Sequence, residues 1–501
     1  KPMVKQGGEW KEVDWSVALD YVAHGLKDVV REHGADALAA LAAPSSTVEE
    51  FSLLRKVVNG LGSGNIDFRT RQRTFAADLA SVNIPWLGLR LNEIKDLDSA
   101  LVVGSFLRKD HPLIAQRLRQ AAKKYTQVNL LSVVADDQLI KTHAQVAVAP
   151  SQLVFSVAAL VKAAFEQKGL QVPSALEGVS VCDESRKIAQ SLLEGEKKAI
   201  FLGNLVKQLA DAEQLQLLAI ELGKLTGASV GFLGEGANSV GAYAAKFLPS
   251  NANARQMFES PRKAYVLMGI EPEFDLGNPQ LALSALKQAA MVVYMSPFKH
   301  MAALEYADVM LPIAPYTETS GTFINIEGRV QSFNGVVKPR GDARPAWKLL
   351  RVLGNVLNLD GFDYESSEQV RDEVLGKGVE FIAGLGNDIS GEISMPAART
   401  SSLERIADVP IHFADAMARR APSLQQTSDA RLPTARINPQ TAQALLIEDG
   451  LAVKISQGDA GVVLIAKFDE NVPLNCVRVS AAHTSTAALG EMFGEITVER
   501  A

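Results

Sequence analysis

Cysteine is nearly absent from this 501-residue chain, with Cys182 and Cys476 its two examples. Two thiols so far apart supply neither the four ligands of an iron–sulfur cluster or structural zinc site nor a disulfide framework. Sparse cysteine fits a reducing compartment. No apolar run approaches the roughly 18 residues of a membrane span. Charge of one sign is scarce as well. A formal net charge of −6 with no basic stripe excludes a dedicated nucleic-acid binder. The short clusters Arg69/Arg71/Arg73 and Lys123/Lys124 read as solvated faces. The seven histidines show no pairing at metal-ligand spacing and read as scattered surface or packing residues. Gly-x-Ser-x-Gly, Gly-x-x-x-x-Gly-Lys and His-Glu-x-x-His are all missing. The chain opens Lys1-Pro2 with no charged-then-apolar leader, and is expected to be a piece of something longer, cut at its N-terminus.

What is present is apolar residue, 47% of the chain at a mean hydropathy of +0.05, enough for two to four well-packed domains. A helical pattern runs through Val17, Tyr21 and Val29, and strand–helix units follow. In one, Ala100–Gly104 precedes a polar loop in which Asp110 suits an N-cap and Pro112 the first turn, with Leu113, Leu118 and Ala121 as a buried stripe. Val128–Val133 then completes a βαβ unit, which requires a parallel sheet and a right-handed crossover. A second series starts at Ala199–Gly203. Its helix is capped by Asp211, carries Leu215, Leu218, Leu222 and Leu225 on one face and ends at Gly227. Strands are expected at 229–233, 264–269, 291–296 and 309–311. Apolar strands alternating with helices mean a sheet covered on both faces. From 361 to 432 the chain is polar and irregular. After Pro433, Asp449-Gly450 and Gly458-Asp459 are turn dipeptides between short β-like runs, which predicts a small β domain.

Three stretches carry candidate chemistry. Gly231–Gly241 lies between a strand and a helix, where dinucleotide folds cradle phosphate, but its third glycine would fall at Ser239. A tight turn needing positive-φ glycines is the reading preferred over a nucleotide-dependent dehydrogenase. Glu271 and Glu273 follow a strand at the carboxyl edge of a sheet, where α/β ligands bind, and are expected in a solvated loop. Leu311–Gln331 reads as a hairpin-like excursion from the sheet edge. On its second strand Asn325, Glu327 and Arg329 share a polar face opposite Ile324, Ile326 and Val330.

The segment Gly321-Thr322-Phe-Ile-Asn325-Ile-Glu327-Gly328-Arg329-Val-Gln331 resembles the Gly-Thr-x-x-Asn-x-Glu-Gly-Arg-Val-Gln segment of the molybdopterin oxidoreductase superfamily. Val102–Arg119, Gly231–Tyr243 and Ala482–Gly490 narrow the resemblance to the C-terminal part of the large iron–sulfur subunit of respiratory complex I (NADH:quinone oxidoreductase). The resemblance covers most of the chain. It implies an α/β fold of two doubly wound parallel-sheet domains, the first inserted into the second, followed by a small C-terminal double-psi β-barrel-like domain. The implied boundaries are 1–35 for the start of the second α/β domain, 36–196 for the inserted one, and 197–360 for the second domain continued. A polar, partly helical linker would follow at 361–432, and the barrel-like domain at 433–501.

Catalytic members hold a molybdenum bis-pterin dinucleotide through the residue ending Asn-x-Asp-x-x-x-Arg-x-Cys. Here the motif reads Asn65-Ile-Asp67-Phe-Arg-Thr-Arg71-Gln-Arg73, and a guanidinium is a permanently charged donor that cannot ligate molybdenum. The resemblance therefore implies no catalytic, metal or cofactor site in this chain. The degenerate ligand position is Arg73, and the family segment is Gly321, Thr322, Asn325, Glu327, Gly328 and Arg329. The 2Fe-2S and 4Fe-4S clusters belong before Lys1. Implied partners are other peripheral-arm subunits, including the flavin-bearing one, at the cytoplasmic face of the bacterial inner membrane. Contact with the membrane is through the complex alone, and no nucleic acid is involved. The alternative is a fragment of a molybdopterin-dependent oxidoreductase with a degenerate metal site.

Overall fold

The computed structural model describes residues 1–80, 83–376, 379–397 and 402–501. It forms two compact units, one of Lys1–Arg71 with Gly236–Leu385, the other of Gln72–Glu235 with Gly386–Ala501. Residues 81–82 of the expected inserted domain, and 377–378 and 398–401 of the expected linker, lie outside the described residues.

The first unit opens with the hairpin β1 (Met3–Gln6) and β2 (Glu9–Glu12). Helix α1 (Trp15–His33) follows, burying Ala18, Leu19, Val22, Leu26 and Val29 at the 3.6-residue period. Strand β3 (Leu38–Ala42) is wholly apolar and wholly buried, as a strand covered on both faces must be. Helix α2 (Val48–Gly60) starts at a capping box. The Thr47 hydroxyl accepts the Glu50 N–H, and the Glu50 carboxylate accepts the Thr47 N–H at 2.8 Å. The two-residue β4 (Ile66–Asp67) then pairs parallel to β3.

The chain passes into the second unit at Gln72. There β5 (Ser99–Val103), α3 (Pro112–Ala122), β6 (Gln127–Ser132), β7 (Ala144–Ala147), α4 (Leu153–Gln167), α5 (Asp183–Leu193), β8 (Lys198–Leu202), α6 (Ala212–Thr226) and β9 (Ser229–Phe232) build a parallel sheet in the order β7-β6-β5-β8-β9. The βαβ expectation holds, with two changes of detail. His111, not Asp110, occupies the N-cap of α3, and Leu113 is 71% exposed because Ile114, Leu118 and Ala121 form the inward stripe.

Returning to the first unit, β10 (Ala264–Met268), β11 (Met291–Ser296) and β12 (Val309–Pro312) complete the order β2-β1-β12-β11-β10-β3-β4. The separate hairpin β13 (Gly321–Ile324) and β14 (Val330–Phe333) follows, then α7 (Ala346–Val356). In the second unit β15 (Glu404–Ile406), β16 (Ala435–Ile437), β17 (Ala452–Gln457), β18 (Ala460–Phe468), β19 (Cys476–Arg478), β20 (Phe493–Glu495) and β21 (Thr497–Arg500) form a curled half-barrel. Gly458-Asp459 closes the β17–β18 hairpin as a two-residue turn, with Gln457 opposite Ala460.

Strand pairing moves the boundaries expected at 36 and 197. Leu38–Ala42 and Ile66–Asp67 bond into the sheet of β10, whereas Lys198–Leu202 and Ser229–Phe232 bond into the sheet of β5. The polar stretch 361–432 divides at Leu385, and its β15 joins the half-barrel. No helix among the described residues is long and apolar enough to cross a membrane.

Candidate functional site

The motif that would end in a metal ligand is held by its own hydrogen bonds. Asn65 is fully buried. Its Nδ2 donates to the Asp36 and Leu38 carbonyls at 2.9 and 3.1 Å, and its Oδ1 accepts the Ala252 N–H at 3.0 Å. Asp67 accepts the backbone N–H groups of Phe68 and Ala254, and takes Arg69 bidentately at 2.8 and 3.0 Å. Both members of that pair are buried, where a bidentate guanidinium best compensates a desolvated carboxylate. Arg71 donates to the Phe274 carbonyl at 2.9 Å. The expectation of a solvated basic cluster is corrected, because these arginines satisfy buried oxygens instead.

Arg73, in the second unit, donates its backbone N–H to the Lys207 carbonyl at 3.1 Å and Nη1 to the Phe493 carbonyl at 3.0 Å. No group of three or more His, Cys, Asp or Glu among the described residues could hold a metal ion. Cys476 is buried in the half-barrel, where desolvation and the nearby Glu404 charge push its thiol far up, away from the thiolate a metal needs. A guanidinium at position 73 offers molybdenum no ligand atom.

The family segment Gly321–Arg329 folds differently from the expected strand. Residues 325–329 are the turn of the β13–β14 hairpin. Asn325 Oδ1 accepts the N–H groups of Glu327 and Arg329 at 3.2 and 2.9 Å, and Gly328 takes φ +82°. Asn325, Glu327 and Arg329 therefore share a self-capped turn rather than one face of a strand, with a 3.1 Å ion pair from Glu327 to the exposed Arg329. Thr322 donates its N–H and hydroxyl to the buried Glu49 carboxylate at 2.9 and 2.7 Å. Burial raises the Glu49 carboxyl above its ordinary value even against these bonds.

Asn238 joins the family segments of the first unit, a role the sequence did not reveal. It is fully buried, its Nδ2 donates to the carbonyls of Ser46 (2.7 Å) and Thr322 (3.3 Å), and its Oδ1 accepts the Ile324 N–H at 2.7 Å. Gly236 passes so close that a Cβ would sit 2.6 Å from Pro44. The glycines at 231, 236 and 241 do not take positive φ, so close approach rather than left-handed backbone explains them. Glu271 and Glu273, expected in solvent, are also buried. Glu273 accepts from His300 Nε2 at 3.1 Å and from the Tyr306 hydroxyl at 3.4 Å.

Three polar groups of the second unit follow the carboxyl ends of its strands β5 and β8. Its strand order reverses between β5 and β8, the switch point at which open α/β sheets bind ligands at their carboxyl ends. Ser105 follows β5, and its Cβ lies 2.5 Å from where a Cβ on Gly203, next to Asn204, would fall. Among the described residues the buried Ser105 Oγ, the Asn204 Oδ1 and the His111 Nδ1 have no hydrogen-bond partner. His111 Nε2 bonds the Gly234 carbonyl at 2.9 Å, and burial lowers its pKa. With Nε2 donating, Nδ1 and Asn204 Oδ1 are acceptors, suited to amino or amide N–H groups of an organic ligand and not to phosphate. The half-barrel is fastened to this sheet through Arg478, which reaches Asp136 after β6 and Asp408 after β15 at 2.9 and 2.8 Å.

The molybdopterin oxidoreductase family model matches residues 1–356. The chain belongs to that family. Among its relatives, the NADPH-Fe(3+) oxidoreductase subunit alpha of Geobacter sulfurreducens is 27% identical over 421 residues, 71% of this chain and 49% of that protein. The mitochondrial NADH-ubiquinone oxidoreductase 78 kDa subunit of Candida albicans is 27% identical over 363 residues, 71% of this chain and 44% of that protein. A putative formate dehydrogenase of Staphylococcus haemolyticus is 24% identical over 443 residues, 75% and 45% of the two chains. This molybdopterin oxidoreductase-family chain thus spans about half the length of the curated relatives it matches. Acetylene hydratase from Pelobacter acetylenicus shares its fold, with a TM-score of 0.71 at 15% identity over all of this chain and 92% of that one.

Proposed function

We propose that this chain is the structural, metal-free body of a respiratory-chain oxidoreductase subunit: the C-terminal part of the large iron–sulfur subunit of complex I. In that role it supports electron transfer from NADH to quinone along 2Fe-2S and 4Fe-4S clusters carried elsewhere. The observation that supports the reading is Arg73. A guanidinium stands where catalytic members place a metal ligand, and both its backbone and its side chain are committed to main-chain carbonyls. The partners are peripheral-arm subunits, including the flavin-bearing one, at the cytoplasmic face of the inner membrane.

The test is affinity purification of the tagged chain, within its full-length subunit, from detergent-solubilised bacterial membranes. Recovery with a flavin-bearing subunit and NADH:quinone activity supports the proposal. Recovery without partners, or with a formate-oxidising assembly, removes it. The unpartnered Ser105, Asn204 and His111 atoms favour a second reading, in which an organic pterin-type ligand persists without its metal. Release of a fluorescent pterin on acid denaturation separates the two.

A further inference from the structure

We infer that the outer edge of the β13–β14 hairpin, continued by the loop to Arg344, is a docking strip for an extended acidic segment of a partner protein. Among the described residues β14 pairs with β13 alone, so one row of its backbone N–H and C=O groups faces outward. Free strand edges are ordinarily blunted by a charge, a proline or a bulge, because they recruit another chain. Val330-Gln331-Ser332-Phe333 has none of these, and Val330, Gln331 and Ser332 are exposed.

The following loop is held in place rather than loose. Val336 N–H donates to the Thr317 carbonyl at 2.8 Å, and Arg340 N–H donates to Glu318 at 3.0 Å. Even so, Val336 is 83% and Val337 58% exposed. An ordered, solvent-facing valine pair beside an open strand edge has no purpose within the unit.

Charge decides the occupant. From Arg329 to Arg344 the strip carries Arg329, Lys338, Arg340 and Arg344 against Asp342 alone, in a chain whose formal charge is −6. Arg329 is paired with Glu327, whereas Lys338, Arg340 and Arg344 make no ion pair among the described residues. Outward amides, small apolar side chains and uncommitted cations together fit strand addition by an acidic, alternating apolar segment. A phosphate backbone or lipid surface would use the cations but neither the strand edge nor the valines. The strip gives the proposed scaffold a contact surface and relies on that reading only for the partner's identity.

The full chain is titrated with a labelled alternating Glu–Val peptide of about eight residues, a strand's length. Binding is expected to saturate, and to weaken about tenfold or more in the exposed-residue variant Lys338→Glu/Arg340→Glu/Arg344→Glu and in high salt. Val336→Asp should weaken it as well. N-methylation of alternate peptide nitrogens should abolish it, and the bound peptide should protect β14 amides from hydrogen exchange. Equal affinity for a Lys–Val peptide, indifference to the triple reversal in a variant that melts like the parent, or tolerance of N-methylation would overturn the strip. So would binding of phosphatidylserine vesicles or single-stranded DNA in place of the peptide. If the chain ignores the peptide yet assembles normally, the strip fails and the scaffold reading survives. Peptide binding by a chain that never assembles gives the reverse.

Discussion

Arg73 bonds two main-chain carbonyls, so replacing it does more than change a ligand type. In Arg73→Cys the Phe493 carbonyl loses its donor, and one restored thiolate supplies none of the phosphate and base contacts that would hold the pterin dinucleotide itself. We expect this variant to take up no molybdenum and to melt below the parent. Molybdenum at one atom per chain by mass spectrometry would show the donor argument to be mistaken. Glu50 offers a separate test. Burial pushes its carboxyl up to about 7, and the adjacent Glu49 charge adds to burial against the Thr47 N–H bond. A raised folded pKa means stability that is complete below the unfolded value near 4.5 and is lost as pH climbs through about 7. Relative to Glu50→Gln, the wild type should lose about 3 kcal/mol across that window, at ~1.4 kcal/mol per pH unit. Urea midpoints of the two proteins that stay parallel from acid to neutral pH would rule this out.

At the scale of elements, Asn238 is what the segments around the β13 strand share. Truncating it strands the Ser46 and Thr322 carbonyls and the Ile324 N–H in a dry interior. Asn238→Ala should therefore cost about 2–4 kcal/mol. A change in urea midpoint corresponding to less than about 1 kcal/mol would mean that water or side-chain relaxation replaces those bonds. No periodicity pointed to Asn238, because its partners are some 80 to 190 residues away in sequence. Local signals did better. Gly227 ends α6 in the left-handed conformation, Gly458-Asp459 turns the hairpin, and the leucines of α6 are buried as their spacing implies. Turn chemistry defeated the alternation rule at 325–329, where the Asn325 side chain bonds its own backbone and converts an apparent strand into a tight loop. Leu113 misled for a similar reason: once α3 begins at Pro112, a residue one position off the 114–118–121 stripe points to water.

For the whole molecule, α/β architecture was legible from apolar strands alternating with amphipathic helices, but the assignment of strands to sheets was not. Leu38–Ala42 and Lys198–Leu202 are both short apolar runs, and hydrogen-bond partners leave no trace in such runs. The motifs located the family. They left open what each segment does, because burial turns Asp67, Arg69, Glu49 and Glu273 into framework. We propose that this framework has replaced metal chemistry. Elemental analysis tests it most directly, on the chain purified from cells that make molybdenum cofactor and are supplied with molybdate, tungstate and iron. None of these metals is expected above background. Molybdenum or tungsten near one atom per chain, retained through gel filtration, would contradict it.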